Sequence, residues 1–224
     1  VNRDLADFDD YVDQYDDLLK NQLSFFEGNR TYFSRYKVKL LHSLLDKSPE
    51  KLLDFGSGIG LSLPHFLYYF PHSEICATDI SKKSLTYLSK HYSDVKVYQD
   101  EELEGQTFDL IFLSGVMHHI PPEKRPTILK RLKTLLSPEG SIIIFEHNPF
   151  NPVTQRMVAT CPFDEGVQLL SKSALQKMMK KEGFHVDKGG YTLFFPEPLK
   201  FFRPLEQKLY WCPLGGQYFV MARR

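Results

Sequence analysis

Lys51-Leu52-Leu53-Asp54-Phe55-Gly56-Ser57-Gly58-Ile59-Gly60 (KLLDFGSGIG) is the stretch whose reading decides the fold. Its first five residues read as a short strand, and three glycines follow within five positions. The next ten, LSLPHFLYYF at 61–70, have the texture of a helix, with Pro64 acceptable only in the first turn. A strand that passes through a glycine-rich turn into a helix puts the turn at the carboxyl edge of a parallel sheet. Backbone N–H groups point outward there, and ligands bind. The spacing alone does not name the ligand. A dinucleotide fingerprint needs G-x-G-x-x-G, but here the third glycine comes one place early at Gly60, with Leu61 where the fingerprint wants glycine. A phosphate loop needs GK[ST], which is absent. On pattern alone, a tight turn without a ligand is the alternative.

Working outward, Glu74 to Thr78 reads as a second strand ending in Asp79. Ser81 then caps a helix, KKSLTYLSKHY, and Val95 to Tyr98 is a third strand. Phe108 to Ser114 (FDLIFLS) is a fourth, its apolar centre that of a strand covered on both faces. Pro121 to Leu136 reads as helix, Pro138-Glu139-Gly140 as a turn and Ser141 to Phe145 as a fifth strand. Residues 148–170, with Pro149, Pro152 and Pro162, read as a loop-rich cap over the strand ends. Ser173 to Glu182 is helical. His185 to Phe195 and Gln217 to Ala222 form two last strands around a Pro- and aromatic-rich insertion at 196–214. Upstream, Leu5, Phe8, Tyr11, Val12, Tyr15, Leu18 and Leu19 follow helical spacing, and a second helix spans Tyr32 to Leu45. Alternating strands and helices imply βαβ units and a parallel sheet. The expectation is one α/β core over 49–224 with an N-terminal helical lid over 1–48.

Composition narrows the class. The 224 residues carry 28 Lys plus Arg against 28 Asp plus Glu, a formal net charge of +0, which removes the global electrostatic case for a nucleic-acid binder. Hydrophobic residues at 42% and charged residues at 25% fit a globular chain rather than a disordered one. The three cysteines, Cys76, Cys161 and Cys212, are odd in number and form no CxxC pair, so a reducing cytoplasmic setting is expected. The first twenty residues are acidic and contain no apolar signal region, and no apolar run is long enough to span a membrane.

LLDFGSGIG, the acidic Asp79 after the second strand, FDLIFLSGVMHHI and the final strand pair together resemble class I S-adenosylmethionine-dependent methyltransferases, in order and in spacing. The resemblance implies a Rossmann-like seven-stranded sheet, mostly parallel with its last strand antiparallel, and S-adenosylmethionine as cofactor. It also implies roles. Asp54, Gly56, Ser57, Gly58 and Gly60 would lie along the methionine part of the cofactor. Asp79 would accept from both ribose hydroxyls, the alternative being a strand-end Asp that caps the next helix. Ile80 would pack on the adenine, and Gln99 or Asp100 would face its amino group. Ser114 and Gly115 would flank the methionine moiety. Tyr11, Tyr15, Tyr32 and Phe33 either close over the cofactor or pack in the core.

Methyl transfer to a hydroxyl benefits from a general base. The candidates at the ends of strands four and five are His118, His119 and His147. His147 leads, because SIIIFEHN (141–148) delivers a polar triplet abruptly from an apolar strand. In the competing reading, Glu146, His147 and Asn148 pin the loop NPFNP, and His118 and His119 pack a helix start. No H-x-E or HExxH spacing supports a metal among these residues, so none is expected. Cys161, in TCPFD, reads as a small packed residue. EHNPFNPVTQ and FRPLEQKL…PLGGQYF are similar to bacterial methyltransferases associated with polysaccharide or glycolipid pathways. A small-molecule or sugar- or lipid-linked acceptor is therefore expected, with peripheral membrane contact through the aromatics of 196–214 and Lys200, Arg203 and Lys208. The same stretch packed over a sheet edge is the plainer alternative. Two rival functions are a cofactor-binding scaffold without turnover and a nicotinamide-dependent oxidoreductase, the latter disfavoured by the glycine spacing.

Overall fold

A computed structural model describes residues 32–195 and 197–224. The expected first helix, with Tyr11 and Tyr15, lies outside the described residues. The strands are β1 (Lys51–Phe55), β2 (Glu74–Thr78), β3 (Lys96–Tyr98), β4 (Phe108–Ser114), β5 (Leu136–His147), β6 (His185–Thr192) and β7 (Gln217–Arg223). They form one sheet in the order β3-β2-β1-β4-β5-β7-β6, parallel except for β7, which runs antiparallel to both its neighbours. The expected seven-stranded Rossmann-like sheet is the observed one. Strand order reverses between β1 and β4, and their carboxyl ends splay apart at that switch point, where α/β sheets bind ligands.

Alternating residues of each central strand enter two separate cores, which is why the strands read as continuous apolar runs. Leu53, Ile111, Leu113, Ile142 and Ile144 face one side. They pack there with Leu129 and Leu132 of α4 (Arg125–Leu135) and Leu175 and Met179 of α6 (Lys172–Lys181). Leu52, Leu110, Phe112, Ile143 and Phe145 face the other, against Val38 and Leu41 of α1 (Tyr32–Leu44) and Phe66 of α2 (Leu63–Tyr69). Pro64 lies in the first turn of α2, as its chemistry requires. Ser81 caps α3 (Lys82–His91) by accepting from the Ser84 N–H at 3.1 Å.

Two expectations are corrected. The fifth strand is longer than Ser141 to Phe145: it starts at Leu136, absorbs the Pro138–Gly140 turn as a register shift against β4, and continues through His147. Antiparallel pairing with β7 carries it onward, Glu146 opposite Tyr218 and His147 opposite Gln217. The stretch 148–170 is not mainly loop. It holds α5 (Pro152–Thr160) and a 3₁₀ turn over Pro162–Asp164, because Pro152 occupies the first position of a helix capped by Asn151. Prolines read as breakers are helix starters here.

The aromatic insertion is helical as well. A kinked 3₁₀ segment over Glu197–Leu209 is anchored by Glu206, whose Oε1 accepts from the Phe194 N–H at 3.1 Å. Arg203 lies 3.9 Å from the Tyr32 ring, which ties this segment to the start of α1 and gives Tyr32 a packing partner. No helix among the described residues is long and apolar enough to cross a membrane.

Asn148, fully buried, locks the end of β5. Its Nδ2 donates to the Pro213 and Gly215 carbonyls at 2.9 and 2.7 Å, and its Oδ1 accepts from the Phe150 N–H at 3.1 Å. The loop-pinning role considered for Glu146, His147 and Asn148 thus falls to Asn148. Asn148→Ala orphans three backbone groups and is expected to cost about 2–4 kcal/mol. In a chain of this size that is a Tm lowered by roughly 5–15 °C in a thermal melt.

Candidate functional site

The glycine turn leaves β1 and folds back on the end of β2. The Gly56 and Ser57 N–H groups both donate to the Thr78 carbonyl, at 2.9 and 3.0 Å. The Gly58 N–H donates to Asp79 Oδ2 at 2.7 Å, and the other Asp79 oxygen accepts from the Ser81 N–H at 2.9 Å. The helix cap is therefore Ser81, and the Asp79 carboxylate stays at the strand ends. The glycines differ in what surrounds them. At Gly60 an added Cβ would lie 2.7 Å from both Leu63 Cδ1 and Leu88 Cδ2, so this glycine is demanded by packing against protein. At Gly58, also at positive φ, it would meet no atom of the described residues within 4 Å: among them the turn opens into free space there. Ile80, next in the chain after Asp79, is 88% exposed. Of the two candidates after β3, Asp100 is held by the Arg131 guanidinium at 2.7 and 2.8 Å, and the Gln99 N–H donates to Glu102 Oε2 at 2.7 Å.

Two buried charges stand behind the turn. Burial pushes the Asp54 carboxyl up to about 8, with Asp79 adding to the rise and Lys37 opposing it. Burial likewise pulls the Lys37 ammonium down to about 8, against the attraction of Glu146 and Asp54. Lys37 donates to Ser114 Oγ at 2.7 Å, so α1 delivers a cation to the end of β4. Sequence reasoning missed this lysine. The signal was its place beside Ser34, Val38 and Leu41, on the face of α1 that enters the core.

The second half of the site lies at the ends of β4 and β5. After Ser114, Gly115 turns the chain into a 3₁₀ turn over Met117–His119, and a Cβ on Gly115 would sit 3.5 Å from the His118 ring. Glu146, 1% exposed, receives the Met117 N–H on Oε1 at 2.7 Å and pairs with His118 Nδ1 through Oε2 at 2.6 Å. Asp164, from the turn after α5, approaches from the other side. Its Oδ1 is 3.3 Å from His118 Nε2 and 3.5 Å from His119 Nε2. The His147 ring packs edge-on to His118, with centroids 5.1 Å apart. All three predicted histidines thus converge, joined by Glu146 and by Asp164, which the sequence offered only as part of TCPFD. Burial opposes charge on His118, yet Glu146 and Asp164 together hold its pKa above the usual range. Burial would raise Glu146, but the His118 charge holds it low. His119 and His147 are pulled down to about 4, by burial first and then by the charge on His118.

With this geometry in place, comparison with known proteins is informative. Residues 27–188 match the family model described as a methyltransferase domain. The chain belongs to this methyltransferase family. A demethylmenaquinone methyltransferase of Thermotoga maritima is 27% identical over 208 residues, covering 80% of this chain and 86% of that protein. An uncharacterized protein of Rickettsia prowazekii is 31% identical over 103 residues; that match spans 42% of this chain and 41% of the relative's length. A SAM-dependent methyltransferase structure from Archaeoglobus fulgidus aligns over 94% of this chain and all of its own, with a TM-score of 0.70 at 16% identity. The methyltransferase accordingly uses S-adenosylmethionine as its donor, and the nicotinamide alternative falls away.

The folded methyltransferase keeps a proton on Asp54 up to about pH 8, whereas an unfolded Asp releases it near its ordinary value of 3.8. The native state therefore binds more protons across that window, and this group makes stability fall as pH rises. Asp54→Asn removes the effect. Its Tm relative to the parent chain is expected to rise by about 3 °C or more between pH 6 and pH 8. A Tm difference that stays constant with pH would refute the assignment.

Proposed function

We propose that the enzyme methylates a hydroxyl oxygen on a small-molecule or sugar- or lipid-linked acceptor. The observation that carries this reading is the two-sided site. An open, acid-lined turn lies at the ends of β1 and β2, and a proton-handling cluster lies at the ends of β4 and β5. They meet at Ser114 and Gly115.

The residues present fit the donor. Asp79 is a two-oxygen acceptor held at the turn by the Gly58 and Ser81 N–H groups, the kind of group that suits a ribose diol. The space at Gly58 is a cradle that a side chain would fill. The Lys37 cation and the Asp54 carboxyl, buried within range of each other, supply a charge and a hydrogen-bonding group suited to the amino-acid end of the donor. When bound, S-adenosylmethionine supplies an electrophilic methyl group on a sulfonium leaving group, so the protein's work is alignment and proton removal. On the acceptor side, His147 ends β5 partly exposed beside the buried His118–Glu146 pair, which supports its reading as the base for the hydroxyl proton. A scaffold that only bound the donor would have no use for such a cluster. Phe201, Trp211 and Leu214, at 67, 76 and 67% exposure, give a lipid-linked acceptor an apolar surface to approach.

Calorimetric titration with S-adenosylhomocysteine tests the donor side. Gly58→Ala is expected to fold with a Tm lowered only by the roughly 1–2 kcal/mol strain of a positive φ, yet to lose tenfold or more in affinity, a loss expected of Asp79→Ala as well. Gly60→Ala should instead lower the Tm, because its collision is with Leu63 and Leu88. Equal affinities in the parent chain and the Gly58 variant would remove the cradle. On the acceptor side, His147→Ala should reduce turnover ~10²-fold while product affinity stays near normal. Unchanged turnover on a hydroxylated acceptor would return His147 to a packing role.

A further inference from the structure

We infer that His118, His147 and Asp164 form a binding site for one divalent first-row transition ion, with His119 at its rim and Glu146 behind it. No local motif announces this site, since its ligands come from three separate segments: the 3₁₀ turn after β4, the end of β5 and the turn after α5. One ligand atom from each of His118, His147 and Asp164 lies within 4.8 Å of the other two. Nitrogen and oxygen ligands bound at about 2.0–2.2 Å to a tetrahedral ion sit about 3.3–3.5 Å from one another. The 3.3 Å from Asp164 Oδ1 to His118 Nε2 matches that edge, and His119 Nε2, at the rim, is 3.5 Å from the same oxygen. Both exceed the 2.7–3.2 Å usual for N–H···O hydrogen bonds. Three imidazoles gathered around one carboxylate are more than hydrogen bonding to a single oxygen explains, and they are the donor set that a zinc-like ion takes.

The surroundings are those of a ligand sphere. Histidine ligands generally donate their other ring N–H to a carboxylate, which fixes the tautomer and aims the free nitrogen at the metal. Glu146 does this for His118, at 2.6 Å from Nδ1, and is itself oriented by the Met117 N–H at 2.7 Å. His118 and Glu146 are fully enclosed, whereas the side chains of His119 and Asp164 are 19 and 11% exposed. The centre is therefore closed on the Glu146 side and partly accessible on the Asp164 side, where three protein ligands would leave a coordination position for an incoming oxygen. Taken with the proposed hydroxyl methylation, on which this role rests, the ion would bind the acceptor oxygen and acidify its O–H, and with the ion bound His147 would serve as its ligand in place of acting as the base. The O–H bond then breaks, the proton passes to solvent and the oxygen keeps the electron pair. Binding of the ion itself requires no such assumption.

The test uses the full chain, stripped with chelator and titrated with Co²⁺ and then Zn²⁺. One equivalent of Co²⁺ should give saturable visible absorption that one equivalent of Zn²⁺ abolishes, and Zn²⁺ should raise the Tm. Asp164→Asn and His147→Gln should each weaken Co²⁺ binding tenfold or more, and either one serves if the other does not fold. Glu146→Gln should weaken it 10–100-fold, as loss of an outer-shell partner does. His91→Ala, an exposed histidine stacked on Tyr87, should leave it unchanged. Absence of saturable Co²⁺ absorption in the parent chain, or binding undiminished in Asp164→Asn and His147→Gln, overturns the site. The stripped protein's affinity for S-adenosylhomocysteine reports on the donor side alone. Its failure would fall on the methyl-transfer reading, and failure of Co²⁺ would fall on the metal.

Discussion

The Glu146 carboxylate, buried at the end of β5, is the interaction on which the arrangement of the site depends. A buried carboxylate needs its lone pairs satisfied, and here one oxygen takes the Met117 N–H and the other the His118 ring. Both donors belong to the segment that follows β4. The bond therefore sets where the chain goes after it leaves the sheet, and it orients His118 toward Asp164. Glu146 is in turn fixed by its register with Tyr218 across β5 and β7. The antiparallel strand thus does more than close the sheet: it extends β5 by Glu146 and His147, the two residues on which the proposed acceptor-side chemistry rests.

Donor side and acceptor side are electrically joined rather than merely adjacent. Lys37 is attracted by both Asp54 and Glu146 and is hydrogen-bonded to Ser114, so one cation from α1 stands between two buried acids at the ends of β1 and β5. At the low effective dielectric of such a place, a change of charge on one side is felt on the other more strongly than across solvent. A switch point in an open sheet suits this purpose because it brings the ends of β1, β4 and β5 within reach of one side chain.

What the sequence made legible was local. The strand–glycine–helix turn, Asp79 and the order of the strands all follow from residues close together along the chain, and each appears in the structure. Direction was not legible: spacing cannot tell that Gly60 faces Leu63 and Leu88 while Gly58 faces open space, since both glycines sit in the same turn. Nor was long-range closure. Asp164 reaches His118 only because α5 starts at Pro152, a residue that reads as a breaker until its place at the first helical position is known. The same holds for β5, whose last two residues are strand only because β7 lies beside them. Lys37 carried a readable signal, a charge among the buried positions of an amphipathic helix, but the pattern names no partner.

The cost of the His118–Glu146–Asp164 cluster is itself an argument about its purpose. Taking ionised groups out of water costs several kcal/mol per ion, and mutual attraction offsets this only where geometry is good. Well-packed apolar residues of similar volume are often as stabilising or more so. The sheet needs no charges here for cohesion, because β4 and β5 are already sealed on both faces by Ile111, Leu113, Ile142, Ile144, Phe112 and Phe145. A fold that required only closure at these strand ends would be served by another leucine at 146 and at 118. The chain instead keeps a carboxylate and an imidazole in nearly complete burial and directs a second carboxylate at the same ring. That placement makes sense for chemistry on a bound oxygen, and for stability alone it does not.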